Sequence, residues 1–386
     1  MFSATEAGLL VAASIVVLLY QGVALMFAIQ MPRLDPDPPE PADAPRPTVS
    51  VVIAARNEAA DLPATLDSLL AQDYPALEIV VVEGGSTDGT REVVDARAPR
   101  VRRVDEPALP SGWVGKNWAC WTGARATSGE WILFLDADVR TAPSAVRTTL
   151  RWAQREHADL ATLAPSVEMG SFWERLVLPF YVQVVLTYFR TPRVNRPGSR
   201  AAMANGQYWL VRRQTYEAMG GHEAVRTRIL EDVAIARRYR AAGRTLRVAW
   251  APALARTRMY RDRTEMFEGL LKNVHGEEFS APRLVGFLAG LVGLFLLPLA
   301  VLPLGGWIGS GPIAALGAVL AVALFGKHIV FARSIGAPAA YGLLYPAAVG
   351  FYLVLITTSL VRGVRRQSVV WKGRRYAVRD AQSPNR

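Results

Sequence analysis

Four stretches of this chain approach the roughly 20 apolar residues that a helix needs to cross a bilayer. They lie at about 8–29, 284–304, 312–331 and 340–361. A fold confined to water cannot bury so much apolar length, so part of the chain is expected in lipid. The composition agrees: 51% of the 386 residues are hydrophobic and 20% charged, outside the usual balance of a soluble domain. The first stretch lacks a Lys/Arg-rich leader and exceeds a signal-peptide core, which favours a retained anchor over a cleaved signal. The single cysteine, Cys120, excludes an intramolecular disulfide framework and any zinc site built from several thiolates, and it argues against secretion.

The formal charge of +11 is unevenly spread. Residues 362–386 hold eight Lys/Arg against Asp380, a local +7, and residues 1–30 contribute −1 through Glu6, leaving +5 for the middle. A basic tail directly after an apolar run points to anionic lipid headgroups or a topology signal rather than to nucleic acid. It also creates a conflict. With an outside amino terminus and a cytoplasmic middle block, three later spans would leave the tail outside, against the charge bias. A re-entrant or interfacial segment, a hairpin divided wrongly, or an exception to the rule would each resolve it.

Between the first two apolar stretches the texture is that of a soluble domain. Pro32, Pro36, Pro38, Pro39, Pro41, Pro45 and Pro47 suggest a semi-rigid arm holding that domain off the membrane. From Thr48 onward β-rich runs alternate with helical periods: strands at 48–55, 78–82, 101–104 and 131–135, helices at 61–71, 88–96 and 116–126. This alternation predicts an α/β domain with a mainly parallel sheet flanked by helices, its ligands bound at the carboxyl ends of strands. The second half is less regular, with strands near 207–211 and 245–250 and helices near 231–241 and 264–274. The expected organisation is an anchor at 1–31, a linker at 32–47, the α/β domain at 48–282, transmembrane helices at 283–361 and a basic tail at 362–386. The aromatic segment 171–190 contains Glu174, Arg175, Pro179 and Gln183. A span there would divide the α/β block across the bilayer, so it reads as an interfacial helix, or otherwise as a core helix.

Four polar clusters punctuate the block. The first strand ends in Ala54-Ala55-Arg56-Asn57-Glu58 and the second in Glu83-Gly84-Gly85-Ser86-Thr87-Asp88-Gly89-Thr90. Glycines there permit a tight turn close to a ligand, while Ser86, Thr87 or Asp88 equally suit capping of the next helix. After the strand 131–135 comes Asp136-Ala137-Asp138. In an extended segment carboxylates two apart point the same way and repel unless a cation lies between them, so a hard divalent ion, Mg²⁺ or Mn²⁺, is expected at Asp136 and Asp138. Glu231-Asp232 opens a helix, where acids also offset the helix dipole; beside a diphosphate site, Asp232 is a candidate general base. Arg256, Arg258 and Arg261 suit either phosphate oxygens or a solvated face.

In this order and spacing, the clusters resemble family 2 glycosyltransferases of the GT-A fold. More narrowly, Gly112-Trp113-Val114-Gly115-Lys116-Asn117-Trp118-Ala119, Asn205-Gly206-Gln207, Gly220-Gly221-His222, Arg258-Met259-Tyr260, Lys272-Asn273 and Trp371-Lys372-Gly373-Arg374-Arg375-Tyr376 resemble the membrane-bound branch associated with hopanoid and carotenoid glycosylation. The resemblance covers about 48–376. It implies a nucleotide pocket lined by Ala55, Glu58 and Glu83, and donor contacts from Lys116 and Asn117, with Glu231 and Arg258 also at the substrate. It further implies a ribose-diphosphate and metal site at Asp136 and Asp138, and Asp232 as the base of an inverting displacement. The donor would be a nucleotide sugar, a UDP-sugar foremost, and the acceptor a lipid. The enzyme would be a multi-pass protein of the inner (plasma) membrane with its catalytic domain in the cytoplasm. One departure is Glu83-Gly84, where relatives carry an Asp pair that contacts the base. The alternatives are a processive polysaccharide synthase, whose Gln-x-x-Arg-Trp element is missing here, and a silent membrane binding protein on the same fold, which intact Asp136, Asp138 and Asp232 disfavour.

Overall fold

The computed structural model describes residues 4–38, 46–275, 281–365, 369–371 and 374–376. Its centre is a seven-stranded sheet. In chain order the strands are β1 (Val49–Ala55), β2 (Leu77–Glu83), β3 (Arg102–Asp105), β4 (Trp131–Leu135), β6 (Leu160–Ala164), β8 (Tyr208–Arg212) and β9 (Leu246–Trp250). Between and beyond these fall β5 (Val139–Thr141), β7 (Ser166–Val167) and β10 (Ala255–Thr257). The spatial order is β3-β2-β1-β4-β8-β6-β9. All contacts are parallel except those of β8, which runs antiparallel to both β4 and β6. β1 and β4 are apolar on both faces and almost wholly buried, as strands in the middle of a helix-covered sheet must be.

The helices α2 (Leu62–Leu70), α3 (Thr90–Asp95), α4 (Gly115–Arg125), α5 (Ala145–Arg155), α7 (Arg213–Ala218) and α8 (Glu231–Ala241) belong to this domain. One core lies between the sheet and α2 and α5, around Val51, Ile53, Leu66, Leu133 and Leu150; the other lies on the opposite face, around Phe134, Trp209, Tyr216 and Tyr239. Reversal at β8 has a local consequence. The residues that enter β8 stand beside those that leave β4, and the Asp136 amide donates to the Gln207 carbonyl at 3.1 Å.

The Pro-rich spacer is not a free arm. Pro32 and Leu34 exchange backbone hydrogen bonds with Trp250, and the Asp37 amide donates to Thr148 Oγ1. Buried Arg147 donates to the carbonyls of Asp37 and Pro38. A proline-rich strand keeps its acceptors while losing donors, and the domain supplies those donors, so 32–38 lies against the block. Residues 39–45 lie outside the described residues.

The apolar stretches are helical: α1 (Ala4–Ile29), then α10 (Ala281–Leu291) continuing through a π turn at Val292–Leu296 and a 3₁₀ turn at Leu297–Ala300 into α11 (Val301–Trp307), α12 (Gly311–Ser334), the short α13 (Ala340–Leu343) and α14 (Tyr345–Val364). Three are long and apolar enough to cross a membrane: Ala281–Trp307, Gly311–Ser334 and Tyr345–Val364. In α1 the uninterrupted apolar portion among the described residues is shorter, Gly8–Val23. Gly305 and Gly317 let α11 and α12 touch backbone to backbone, since a Cβ at either would collide with the facing helix.

Segment 171–190 forms α6 (Phe172–Tyr188), which packs against α1, α9 (Arg263–His275) and α14. Its inner residues Val177, Leu178 and Phe180 join a core with Leu270 of α9, Phe295 and Tyr352. It is therefore a packed helix that joins the α/β block to the apolar helices, not one resting on lipid alone. A capping box starts it: Ser171 Oγ accepts from the Glu174 amide at 3.3 Å, and Glu174 accepts from the Ser171 amide. The tail strand β11 (Val369–Trp371) pairs with β12 (Arg374–Tyr376) and packs against α9. The described part of the tail thus lies beside α9.

Candidate active site

The carboxyl ends of β1, β2 and β4, the entry to β8 and the start of α8 meet around a cavity of about 790 Å³. Ala55, Glu58, Lys116, Asp136, Asp138, Glu231, Asp232 and Arg258 line it. The expected Glu83 and Asn117 do not line it.

Glu83 points away from the cavity. Its side chain is 2% exposed and turns into its own loop, where Oε1 accepts from the Ser86 amide at 2.6 Å and Oε2 lies 3.6 Å from Arg91. Burial pushes its pKa up, but the hydrogen bonds from Ser86 and Gly85 outweigh that and hold the carboxyl below its ordinary value. Glu83 thereby braces the Gly84-Gly85 turn. Glu106, just after β3, reaches the site instead. Its Oε2 lies 2.7 Å from where a Cβ on Gly84 would stand, so the glycine leaves room for this carboxylate. The only sequence signal for Glu106 is its position at the end of a short strand.

Asn117 is also redirected. It is fully buried, and Nδ2 donates to the carbonyls of Val225 and Arg228 at 2.9 Å each. Adjacent residues on a helix point about 100° apart, so when Lys116 faces the cavity Asn117 must face elsewhere, here to the loop before α8.

Asp136 and Asp138 both reach the cavity, but not by the extended geometry expected of them. β4 stops at Leu135, and the Val139 amide turns back to the Asp136 carbonyl at 3.3 Å. Asp136 Oδ1 lies 2.7 Å from Lys116 Nζ. Asp138 Oδ2 accepts from Thr257 Oγ1 of β10 at 3.2 Å. Among the described residues no three His, Cys, Asp or Glu side chains gather as a metal cage. Two hard oxygen donors on one cavity wall are nevertheless a suitable set for Mg²⁺ or Mn²⁺, ions commonly bound through one or two carboxylates with substrate phosphates and water completing the shell.

Lys116 joins the two halves of the site. Its ammonium is 2.7 Å from Asp136 and 2.9 Å from Glu231. Burial works to lower its pKa, and the two carboxylates more than reverse that, so the lysine stays charged. Next to Glu231, both oxygens of Asp232 are held by main-chain donors: Gly206 N–H at 2.6 Å and Val233 N–H at 2.8 Å. Burial first, then the negative charge of Glu231, push Asp232 up to about 7 against the pull of Lys116. A carboxylate poised there exchanges protons near neutrality. Gly206 permits this arrangement, because a Cβ at that position would stand 3.0 Å from Asp232 Oδ2 and 3.3 Å from Lys116 Nζ. Tyr181 of α6 and its hydrogen-bond partner Asn273 also line the cavity. Of these two, only Asn273 fell within a sequence motif.

Arg258 is at the wall, yet its fork is already engaged. Nε and Nη2 bind the two oxygens of fully buried Glu174 at 3.0 and 3.1 Å. These two nitrogens clamp the start of α6 while the side chain stays on the cavity wall. Arg261 is likewise paired with Asp61, and Arg256 with Glu168 at 3.6 Å.

Residues 50–220 match the family model described as Glycosyl transferase family 2. Over 194 residues the chain is 25% identical to the 4,4'-diaponeurosporenoate glycosyltransferase of Staphylococcus haemolyticus (strain JCSC1435), an alignment covering 50% of this chain and 51% of that protein. Over 196 residues it is 30% identical to the protein of the same name from Staphylococcus aureus (strain USA300), with the same coverage. The chain spans about half the length of the curated relatives it matches. Among solved structures, mannosyltransferase PcManGT from Pyrobaculum calidifontis, in complex with GDP-Man and Mn2+, is similar with a TM-score of 0.52 at 20% identity. That match covers 91% of this chain and 98% of the other, a likeness of fold.

Proposed function

We propose that this chain, whose residues 50–220 form a family 2 glycosyltransferase domain of the GT-A fold, moves one sugar from a nucleotide-sugar donor to a hydroxyl of a membrane lipid, with inversion at the anomeric carbon. The observation that carries the reading is the junction at Lys116, which ties Asp136 at the donor end to Glu231, the neighbour of Asp232, inside one cavity.

In this reading the nucleotide lies over Ala55, Glu58 and Gly84, with Glu106 beside the base and UDP as the leading nucleotide. Asp136 and Asp138 hold a divalent ion that, when bound, neutralises charge on the departing diphosphate. Lys116 adds a fixed positive charge between the diphosphate end and the acids. Asp232 takes the proton of the acceptor hydroxyl; the new bond forms between that oxygen and the anomeric carbon as the carbon–phosphate oxygen bond breaks on the opposite face. The amides of Gly206 and Val233 orient the carboxylate for this step. The relatives are named for a carotenoid-type acid, which supports an isoprenoid-type acceptor such as a carotenoid or hopanoid.

The protein would lie in the inner (plasma) membrane with the catalytic block in the cytoplasm. α1, though its apolar portion is the shorter, the α10–α11 unit and α12 would span, and α14, though long and apolar enough to cross, would lie at the interface. The packing of Phe351 on Trp173 and Phe267, and of β11 on α9, supports that assignment for α14. It also returns the basic tail to the cytoplasmic side, as its charge requires.

The test is transfer of label from UDP- and GDP-sugars into the organic phase of a membrane-lipid extract by the purified protein with Mn²⁺. Time-dependent label in a lipid, lost with EDTA, is the expected result; label released only as free sugar would overturn the reading.

A further inference from the structure

The cavity that contains Asp136 and Asp232 continues past them. Beyond Tyr181 its wall consists of Val185 and Phe189, Phe287 of α10, Val330 and Phe331 of α12 and Ile356 of α14. Two residues that line this limb are also open on the outer surface: Val330 is 56% exposed and Tyr188 40%. Val330 belongs to a helix long and apolar enough to span a membrane. In the proposed topology that surface would face hydrocarbon, which would open the limb sideways towards lipid between the last turns of α6 and α12. The edge-on contact of Tyr188 with Phe287, 6.5 Å between ring centres, borders it.

A second observation points to a ligand. Tyr352, on the same cavity wall, is 3% exposed, and its hydroxyl has no hydrogen-bond partner among the described residues. A buried hydroxyl without a partner carries a desolvation cost that a bound polar group would remove. Its neighbours include Tyr181 and Tyr260, which puts it at the junction where the apolar limb meets the catalytic carboxylates.

We propose that this limb binds the terminal segment of the acceptor lipid, which enters sideways from the bilayer, and that Tyr352 hydrogen-bonds the reactive end. The proposal rests on the reading of Asp232 as the base. Volume narrows the ligand class. The whole cavity, about 790 Å³, suits one ligand of drug-like size, for which pockets run roughly 300–1,000 Å³. With a nucleotide sugar in place, only the tip of a lipid fits and the rest stays in the membrane. The acceptor therefore carries its hydroxyl at the end of a single apolar chain or body, not within a broad two-chain headgroup.

The experiment uses the full chain in phosphatidylcholine vesicles and a sixteen-carbon alcohol bearing a diazirine at mid-chain. Photolysis is expected to label α6 and α12 near Val185 and Val330, and Asp232→Asn to be labelled equally, since binding needs no catalysis. Val330→Trp should lose that labelling and at least tenfold of lipid transfer while nucleotide-sugar binding is unchanged; Val185→Trp, from the facing wall, does the same should the first variant fail to fold. Tyr352→Phe should raise the acceptor KM severalfold without altering donor binding. Label confined to outward positions such as Val319 and Val322, or unaltered transfer in both tryptophan variants, would overturn the proposal. A wild-type protein labelled in the limb that transfers no sugar would support the lipid site and reject the glycosyl-transfer reading, so the two failures are distinguishable.

Discussion

Asp232 combines two properties that the proposed role of base requires: its oxygens are fixed by main-chain donors, and burial with Glu231 brings its titration to about 7. The acid form cannot accept a proton, so kcat/KM should climb about tenfold per pH unit below about 7 and level off above it. A profile flat between pH 5.5 and 8 would remove Asp232 from the role. Gly206 tests the same geometry without touching the carboxylate. A methyl at this position stands 3.0 Å from Asp232 Oδ2, and displacement of a reacting group by a fraction of an ångström costs about ten- to a hundredfold in rate. Gly206→Ala should therefore lower kcat by about that factor and leave the donor KM nearly unchanged, as steady-state kinetics will read.

At the scale of elements, α6 is set by a single buried carboxylate. Glu174 caps its start and takes both arms of Arg258. Removing one partner of a fully buried pair costs about 3–5 kcal/mol; Arg258 keeps partial access to solvent, so Glu174→Gln should cost roughly 2 kcal/mol. Thermal unfolding in detergent checks this, and an unchanged midpoint would contradict it. The same scale explains what the sequence made readable. β1, β2, β4 and α8 follow from apolar runs bounded by glycine or acids, and they carry Ala55, Asp136 and Asp232 to one end of the sheet. α5 and β6 carry no such signal, because Arg147, Thr148 and Thr149 interrupt an apolar pattern that tertiary contacts to Asp37, Asp73 and Tyr208 complete. The side-chain directions of Glu83, Asn117 and Arg258 are not legible in the sequence for a related reason. Residue type and position gave each a ligand role, whereas the partner that claims its side chain, Ser86, Val225 or Glu174, is set by the fold. The turn after β4 was hidden too, since nothing in Asp136-Ala137-Asp138 records that the following residues pair with β10.

For the whole molecule, the apolar helices are not a detached anchor. α6 and α14 share a core with α9 and α10, and one cavity passes from the sheet ends into that core. The proposed topology gives a sharp expectation in a Cys120→Ser background. A cysteine at Ile308, between α11 and α12, should react with an impermeant maleimide from outside intact cells, whereas cysteines at Gly336 and Arg365 should react only after the membrane is opened. Labelling of Arg365→Cys from outside would make α14 a span and return the conflict between the basic tail and the charge bias.

The central claim is that this cavity performs base-assisted sugar transfer to lipid. Its most direct test is purified Asp232→Asn beside wild type, with transfer of labelled sugar to lipid and binding of the nucleotide sugar measured on the same samples. Loss of a general base lowers rates by about 10²–10⁴, so transfer should fall at least a hundredfold while donor affinity stays within a few fold. Transfer at near wild-type rate, with the donor still bound, would contradict the account.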